Sequence, residues 1–145
     1  MTRLVERDLV LAPLDAAADL LRAYFAARPS PLGGGSRIVL RAGMAALPAI
    51  VRTERIQRPG ELTPRYSLHW EAEDGPYSEV DGELIIAPAD RGFWLVLIGV
   101  YVPPEGIAGQ AFGIAIGRLI ARTTARTLLR SMRVEIEALA RGMTA

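Results

Sequence analysis

His69 is the only histidine in the chain, and there is no cysteine. Together these remove most nucleophilic and metal chemistry. Without cysteine there are no disulfides, thiolate nucleophiles or cysteine metal sites, and a reducing compartment fits. A metal centre ordinarily uses three or four ligands, and one histidine among scattered carboxylates has no recognisable ligand spacing. A Ser-His-Asp hydrolase would have to use His69, yet Gly34-Gly35-Ser36-Arg37-Ile38 lacks the closing glycine of a nucleophile elbow. Gly33-Gly34-Gly35-Ser36 also fails as a phosphate cradle, because the chain has no lysine and the loop leads into a strand. The carboxylate pairs Glu71/Glu73 and Asp81/Glu83 sit two apart on strands. Acid–base work would need burial to separate their pKa values, and strand parity turns both pairs to solvent. No metal, cofactor or catalytic residue is expected.

All 17 basic residues are arginine, a bias that fits GC-rich coding in a bacterium. The net charge of +1 gives no bulk attraction for nucleic acid. Arg118, Arg122, Arg126 and Arg130 nevertheless repeat at i, i+4 with Arg133 beside them. Like charges at that spacing cost roughly 0.2–0.5 kcal/mol per pair on an isolated helix. Arg133 has Glu137 one turn on, but none of the four has an acid four residues away. Relief must come from solvent, from sheet or loop carboxylates, or from an external anion. A solvated face is expected, and without interleaved aromatic residues nucleic acid is not.

These residues are positioned by a pattern of one early helix, several strands and one long helix. Arg3–Leu11 reads as a strand. From Pro13 to Ala27, residues Leu14, Ala17, Leu20, Leu21, Tyr24 and Phe25 recur at helical spacing. Runs rich in β-branched and aromatic residues follow: Ser36–Leu47, Ala49–Arg58, Thr63–Glu73, Val80–Ala87 and Phe93–Val102. Turn signals at Pro48, Pro59-Gly60, Asp74-Gly75-Pro76 and Pro88–Gly92 separate them. Short connections with no helix between them imply antiparallel neighbours. A helix from about Gly109 to Arg141 closes the chain. At 145 residues this is one domain, residues 1–145. The N-terminus mixes charged with apolar residues and reads as no signal peptide. Pro103-Pro104-Glu105 interrupts the apolar run from Phe93, leaving it well short of the ~20 residues a spanning helix needs. A soluble, cytoplasmic protein is the expectation.

Period-two parity assigns faces. Tyr66, Leu68, Trp70 and Ala72 share the inner face, as do Gly82, Leu84 and Ile86. The strand Phe93–Val102 is apolar on both sides: Leu95, Leu97, Gly99 and Tyr101 form one row, and Trp94, Val96, Ile98, Val100 and Val102 the other. Something must cover the second row, either the Pro13–Ala27 helix, a strand folding across it, or a second copy of the chain. Arg52 and Glu54 can be placed on neither face. On the long helix, Gly109, Gly113 and Gly117 repeat at i, i+4. Helical glycine costs up to ~1 kcal/mol against alanine, so the repeat implies a close approach or room for a ligand. Continuing that face collects Ile120, Ala121, Thr124, Leu128 and Ser131, whose hydroxyls need partners if buried.

Leu68-His-Trp-Glu-Ala72, Gly82-Glu-Leu84, the Gly99–Gly106 junction and the helix from Gly109 onward resemble the START-like helix-grip superfamily (SRPBCC) of polyketide cyclases and lipid-transfer proteins. Element order matches over nearly the whole chain. The resemblance implies an α+β helix-grip fold, a curved antiparallel sheet of six or seven strands around a long C-terminal helix with an apolar pocket between. No catalytic motif is carried over. The expected function is binding of a small hydrophobic or amphipathic molecule in that cavity, lined by Tyr66, Trp70, Leu84, Leu97, Tyr101, Gly113, Gly117 and Thr124. Tyr66 and Tyr101 would orient the ligand's polar end. Two alternatives stand beside it. One is an interaction module using strand 93–102 or the arginine face, including a homodimer through Trp94, Val96, Ile98 and Val100. The other is a cyclase- or hydratase-type enzyme, which needs an ionisable group inside the pocket.

Overall fold

Apolar alternation and turn chemistry generate six strands and two helices in the computed structural model, which describes residues 2–29, 34–42, 45–56, 59–60, 63–72, 79–102 and 111–143. In chain order these are β1 (Thr2–Val10), a 3-10 turn (Leu14–Ala16), α1 (Ala17–Ala26), β2 (Ser36–Ala42), β3 (Ala45–Ile56), β4 (Arg65–Ala72), β5 (Glu79–Ala89), β6 (Gly92–Val102) and α2 (Ala111–Met143). The strands form one antiparallel sheet in the order β1-β6-β5-β4-β3-β2. The sheet curls into a half-barrel against α2, giving the α+β helix-grip architecture expected from the sequence. α2 touches both edge strands, β1 and β2, and also β6. That is what gripping means here: the sheet bends until its two edges meet one helix.

Parity sets the concave face. Cross-strand partners share a face, so Tyr66–Leu84–Leu97, Leu68–Gly82–Gly99–Leu4 and Trp70–Val80–Tyr101 form successive inner rows. From α2, Ala121, Ala125, Leu128, Leu129, Met132 and Ile136 fall on one helical stripe and are buried against them. The middle row explains the curl. A Cβ on Gly82 would stand 2.2 Å from the Ile98 carbonyl oxygen and 2.6 Å from the Gly99 Cα. No side chain fits, so paired glycines let β5 and β6 approach and bend where bulkier residues would hold them apart.

Three boundaries differ from expectation. Pro48 marks no turn: it lies inside β3, opposite Val39, and the break falls between Ala42 and Ala45. Pro48 sits one residue beyond the last β3–β4 pair, Ala49–Ala72, so its missing donor breaks no described rung there. Pro88 likewise stays within β5, opposite Phe93, and the chain turns at Asp90-Arg91 with Gly92 at φ 107°. The helix after Pro13 opens with the 3-10 turn, in which Ala16 N–H donates to the Pro13 carbonyl at 3.1 Å.

A fourth difference concerns the outer row of β6. α1 does not cover it. Leu20, Leu21 and Tyr24 bury α1 in the core on the concave side, leaving Trp94, Val96, Ile98 and Val100 half-buried on the convex side. The arginine ladder finds its acids in the sheet. Arg122 and Arg126 both donate from Nε to Glu6, at 3.2 and 3.1 Å, and Arg133 reaches Asp8 at 3.2 Å. Glu137 does not take up Arg133; its carboxylate accepts the Leu11 N–H at 2.8 Å. Arg118 lies in α2, with its side chain outside the described residues.

Two outcomes follow. Gly82→Ala should lose about 1–3 kcal/mol in urea unfolding, the range for forcing volume into a packed site, because the obstructing atoms are backbone. Wild-type stability in that variant would refute the bending role. Arg122→Gln with Arg126→Gln should cost about 1–2 kcal/mol, because the Glu6 side chain, only 12% exposed, keeps its charge and loses both partners. Adding Glu6→Gln should recover part of that loss; a fully additive triple change would show the clasp to be inert.

Candidate functional site

α1 packs by one face only, and its other face borders a cavity. Leu20 and Tyr24 point to the core, Leu21 is buried between core and cavity, and Ala18, Arg22 and Phe25 lie towards β3 and β4. The cavity between them measures about 600 Å³ and opens to solvent. Its apolar wall is Leu21, Phe25 and Val51, and its polar wall is Arg22, Arg52, Thr53, Arg55 and Tyr66. Ser36 Oγ also borders it, but donates to the Phe25 carbonyl at 2.9 Å and so ties the β2 start to the end of α1.

Burial raises the Tyr66 pKa above its ordinary value, against the opposing pull of the Arg55 and Arg22 charges. The neutral phenol therefore persists in a pocket of positive potential. Among the described residues Arg22 has only a long, exposed ion pair to Asp19 at 3.9 Å. Among the described lining residues there is no carboxylate and no imidazole, so the cavity offers hydrogen-bond donors and cations but no general base.

The far side of α1 is fastened to α2. Tyr24 Oη and Ser131 Oγ lie 3.1 Å apart, and Arg28 stacks 4.1 Å over the Tyr24 ring while pairing with Glu135 at 3.3 Å. Burial raises the Tyr24 pKa as well, with the Ser131 hydrogen bond and Arg28 opposing. The hydroxyl of Ser131 thus has the partner its burial requires.

The expected site residues divide between packing and cavity. Trp70, Leu84, Leu97 and Tyr101 belong to one contiguous buried core with α2, and Thr124 is also buried. Tyr66 packs against that core and, among the six whose side chains are described, alone lines the cavity beside α1. Tyr66 and Tyr101 stand in different inner rows, on strands separated by β5. Gly113 and Gly117 lie in the first part of α2, and their surroundings are outside the described residues, as is Gly109. Arg22, Phe25 and Arg55 were missed, because only α1's placement over β3 and β4 brings them together.

Elsewhere, several ionisable residues of the convex face are paired with each other. Arg52 and Glu54 stand opposite His69 and Ser67; Arg52 meets Glu71 at 3.3 Å and also borders the cavity beside α1. Arg65 meets Glu83 at 2.9 Å. His69 Nδ1 lies 2.5 Å from Asp81 Oδ1, and the Glu79 carboxylate completes a group whose ligand atoms all fall within 4.8 Å of one another. Strand register rather than sequence spacing creates that group, on an open surface where Glu79 and Asp81 are exposed to water. A second groove, about 570 Å³, runs between β1 and α2 beside Arg126, Arg130 and Arg133. Glu6 and Asp8 within it already engage Arg126 and Arg133.

No protein-family model and no curated protein matches the sequence. Among solved structures, the chain is similar to TTHA0849 from Thermus thermophilus, at 14% identity over 99% of this chain and 100% of that one, with a TM-score of 0.44. It is also similar to protein CV1439 from Chromobacterium violaceum, at 14% identity over 88% of this chain and 98% of that one, with a TM-score of 0.39. Neither likeness carries a role over to this chain. No helix among the described residues is long and apolar enough to cross a membrane.

An alkaline titration followed by tyrosinate absorbance should show Tyr24 and Tyr66 ionising above the ordinary phenol value. A raised folded-state pKa stabilises the fold fully below the unfolded value near 10, and that contribution is lost as pH rises through the folded value. Tyr66→Phe should remove one late step. If the missing step titrates like free tyrosine, Tyr66 is not desolvated as described.

Proposed function

We propose that this chain binds a small amphipathic molecule with an anionic head in the cavity between α1 and the β3–β4 part of the sheet. The observation that carries the proposal is the division of that cavity into an apolar wall and a polar wall of arginines and a neutral phenol, with Arg22 and Arg55 beside Tyr66 and Arg52 at the edge. A carboxylate or phosphate head would meet Arg22, Arg55 and the Tyr66 hydroxyl. Its hydrocarbon part would lie on Leu21, Phe25 and Val51. A volume of about 600 Å³ suits a drug-sized ligand, since such pockets span ~300–1,000 Å³.

This keeps the ligand class expected from the sequence and shifts its place from the face of α2 to the flank of α1. Membership of the START-like superfamily, as a carrier in the cytoplasm, belongs to the same proposal. Element order and a curled sheet gripping a C-terminal helix support it, by analogy of fold alone. A cyclase or hydratase is disfavoured, because the described cavity wall holds no carboxylate or imidazole to move a proton.

Calorimetry with decanoate and decanol tests the proposal. Decanoate should bind saturably and more tightly than decanol. Arg22→Gln with Arg55→Gln should erase that preference, a loss of about tenfold if the charged hydrogen bonds contribute ~1.4 kcal/mol. Ala18→Trp should block both ligands by filling the cavity. Equal affinity for the two ligands in the wild type, or no binding of either, would overturn the proposal.

A further inference from the structure

The convex face of β1, β6 and β5 carries an apolar strip with arginines on its β1 flank and carboxylates at one end of its β5 flank. Directly paired residues run across it as Arg3–Val100–Asp81, Val5–Ile98–Glu83, Arg7–Val96–Ile85 and Leu9–Trp94–Ala87. Paired residues share a face, so all twelve side chains project outward. The centre is apolar, and Val5 is 54% exposed. On the β1 flank stand Arg3 and Arg7, both exposed; on the β5 flank stand Glu79 and Asp81, also exposed. Arg3 and Glu79 have no ion-pair partner among the described residues, and Arg7 rests 4.4 Å over the Trp94 ring.

We infer that this face docks on the same face of a second copy of the chain, about a two-fold axis parallel to β6. The symmetry follows from the charges. An axis parallel to the strands exchanges left and right while keeping position along the strand. It therefore lays β6 on the partner's β6 and β1 on the partner's β5. Arg3 then faces the partner's Asp81, whose carboxylate also contacts His69 of its own chain, and the partner's Arg3 faces Asp81; Arg7 meets the partner's Ile85 and Val5 the partner's Glu83, while Val96, Ile98 and Val100 pack on their own symmetry mates. A two-fold axis across the strands would instead lay β1 on β1, bringing Arg3 and Arg7 into a like-charged flank. Only the first arrangement pairs opposite charges, at two symmetry-related Arg3–Asp81 contacts, and a self-complementary patch is what an isologous dimer requires. Complementary flanks also fix register, and like charges in juxtaposition disfavour the alternative.

Curvature limits the contact. Three strands ~4.8 Å apart, with seven residues rising ~3.3 Å each, present a face on the order of 300 Å². Stable interfaces bury ~800 Å² per partner, so the dimer is a concentration-dependent one. Its charged flanks also make it weaken with salt.

Sedimentation equilibrium over a concentration series tests the inference. The wild type should associate reversibly to a dimer and dissociate as salt is raised. Arg3→Asp places Asp against Asp81 across the axis, and Asp81→Arg places Arg against Arg3. Each alone should weaken homodimerisation about tenfold or more. Mixed in equal amounts, the two variants should form a heterodimer as tight as the wild type, since both symmetry-related contacts become complementary. Trp94→Glu, on the solvent side of the sheet, should give a folded monomer by circular dichroism, which keeps the test independent of Asp81. A wild type that is monomeric at high concentration overturns the inference. So does a dimer unaffected by Trp94→Glu, or a mixture that fails to recover association.

Discussion

Burial of the apolar concave face under α2 is the constraint on which everything else depends. Neither surface is tolerable alone in water, since each fully buried Leu, Ile or Met contributes ~1.5–3 kcal/mol relative to exposure. Closing them together needs a sheet that bends, and the Gly82–Gly99 pair supplies the bend. It also needs a helix held in register. Glu6 and Asp8 project from the inner face of β1 and take hold of Arg122, Arg126 and Arg133. A row of like charges that would destabilise an isolated helix thereby becomes the seam fastening that helix to a sheet edge.

α1 is placed by the same closure. Tyr24 bonds to Ser131 of α2, and Arg28 bridges from the Tyr24 ring to Glu135. One face of α1 is thus committed to α2, and its other face is left standing off β3 and β4. The cavity there follows from geometry: α2 touches β1, β2 and β6, and the gap between α1 and the middle strands leaves Arg22 and Arg55 exposed and the Tyr66 phenol half-buried. Fastening one side of α1 makes that wall a fixed surface, which a binding site needs if its polar groups are to be preorganised.

Period-two alternation is a strong signal, so inner and outer faces were legible along β4, β5 and β6: Leu68, Trp70, Leu84, Ile86, Leu95, Leu97 and Tyr101 are all buried. Strand boundaries at Pro48 and Pro88 were not. A proline reads as a break in one strand, whereas its actual cost depends on whether a neighbour needs its N–H, a property of pairing. The long helix and its arginine stripe were legible, and the acids opposite them were not, because Glu6 and Arg122 meet only once β1 becomes the sheet edge beside α2. The same reason hid Arg22 and Arg55, which come from separate elements and share no spacing. Tyr66 was reached because parity alone placed it inward.

The most direct measurement is amide chemical-shift mapping of the isotopically labelled protein during titration with decanoate. Saturable shifts concentrated at Ala18–Ala26, Val51–Arg55 and Tyr66, with the buried α2 stripe from Leu128 to Ile136 unmoved, are the predicted result. Shifts confined to α2, or none that saturate, would contradict it.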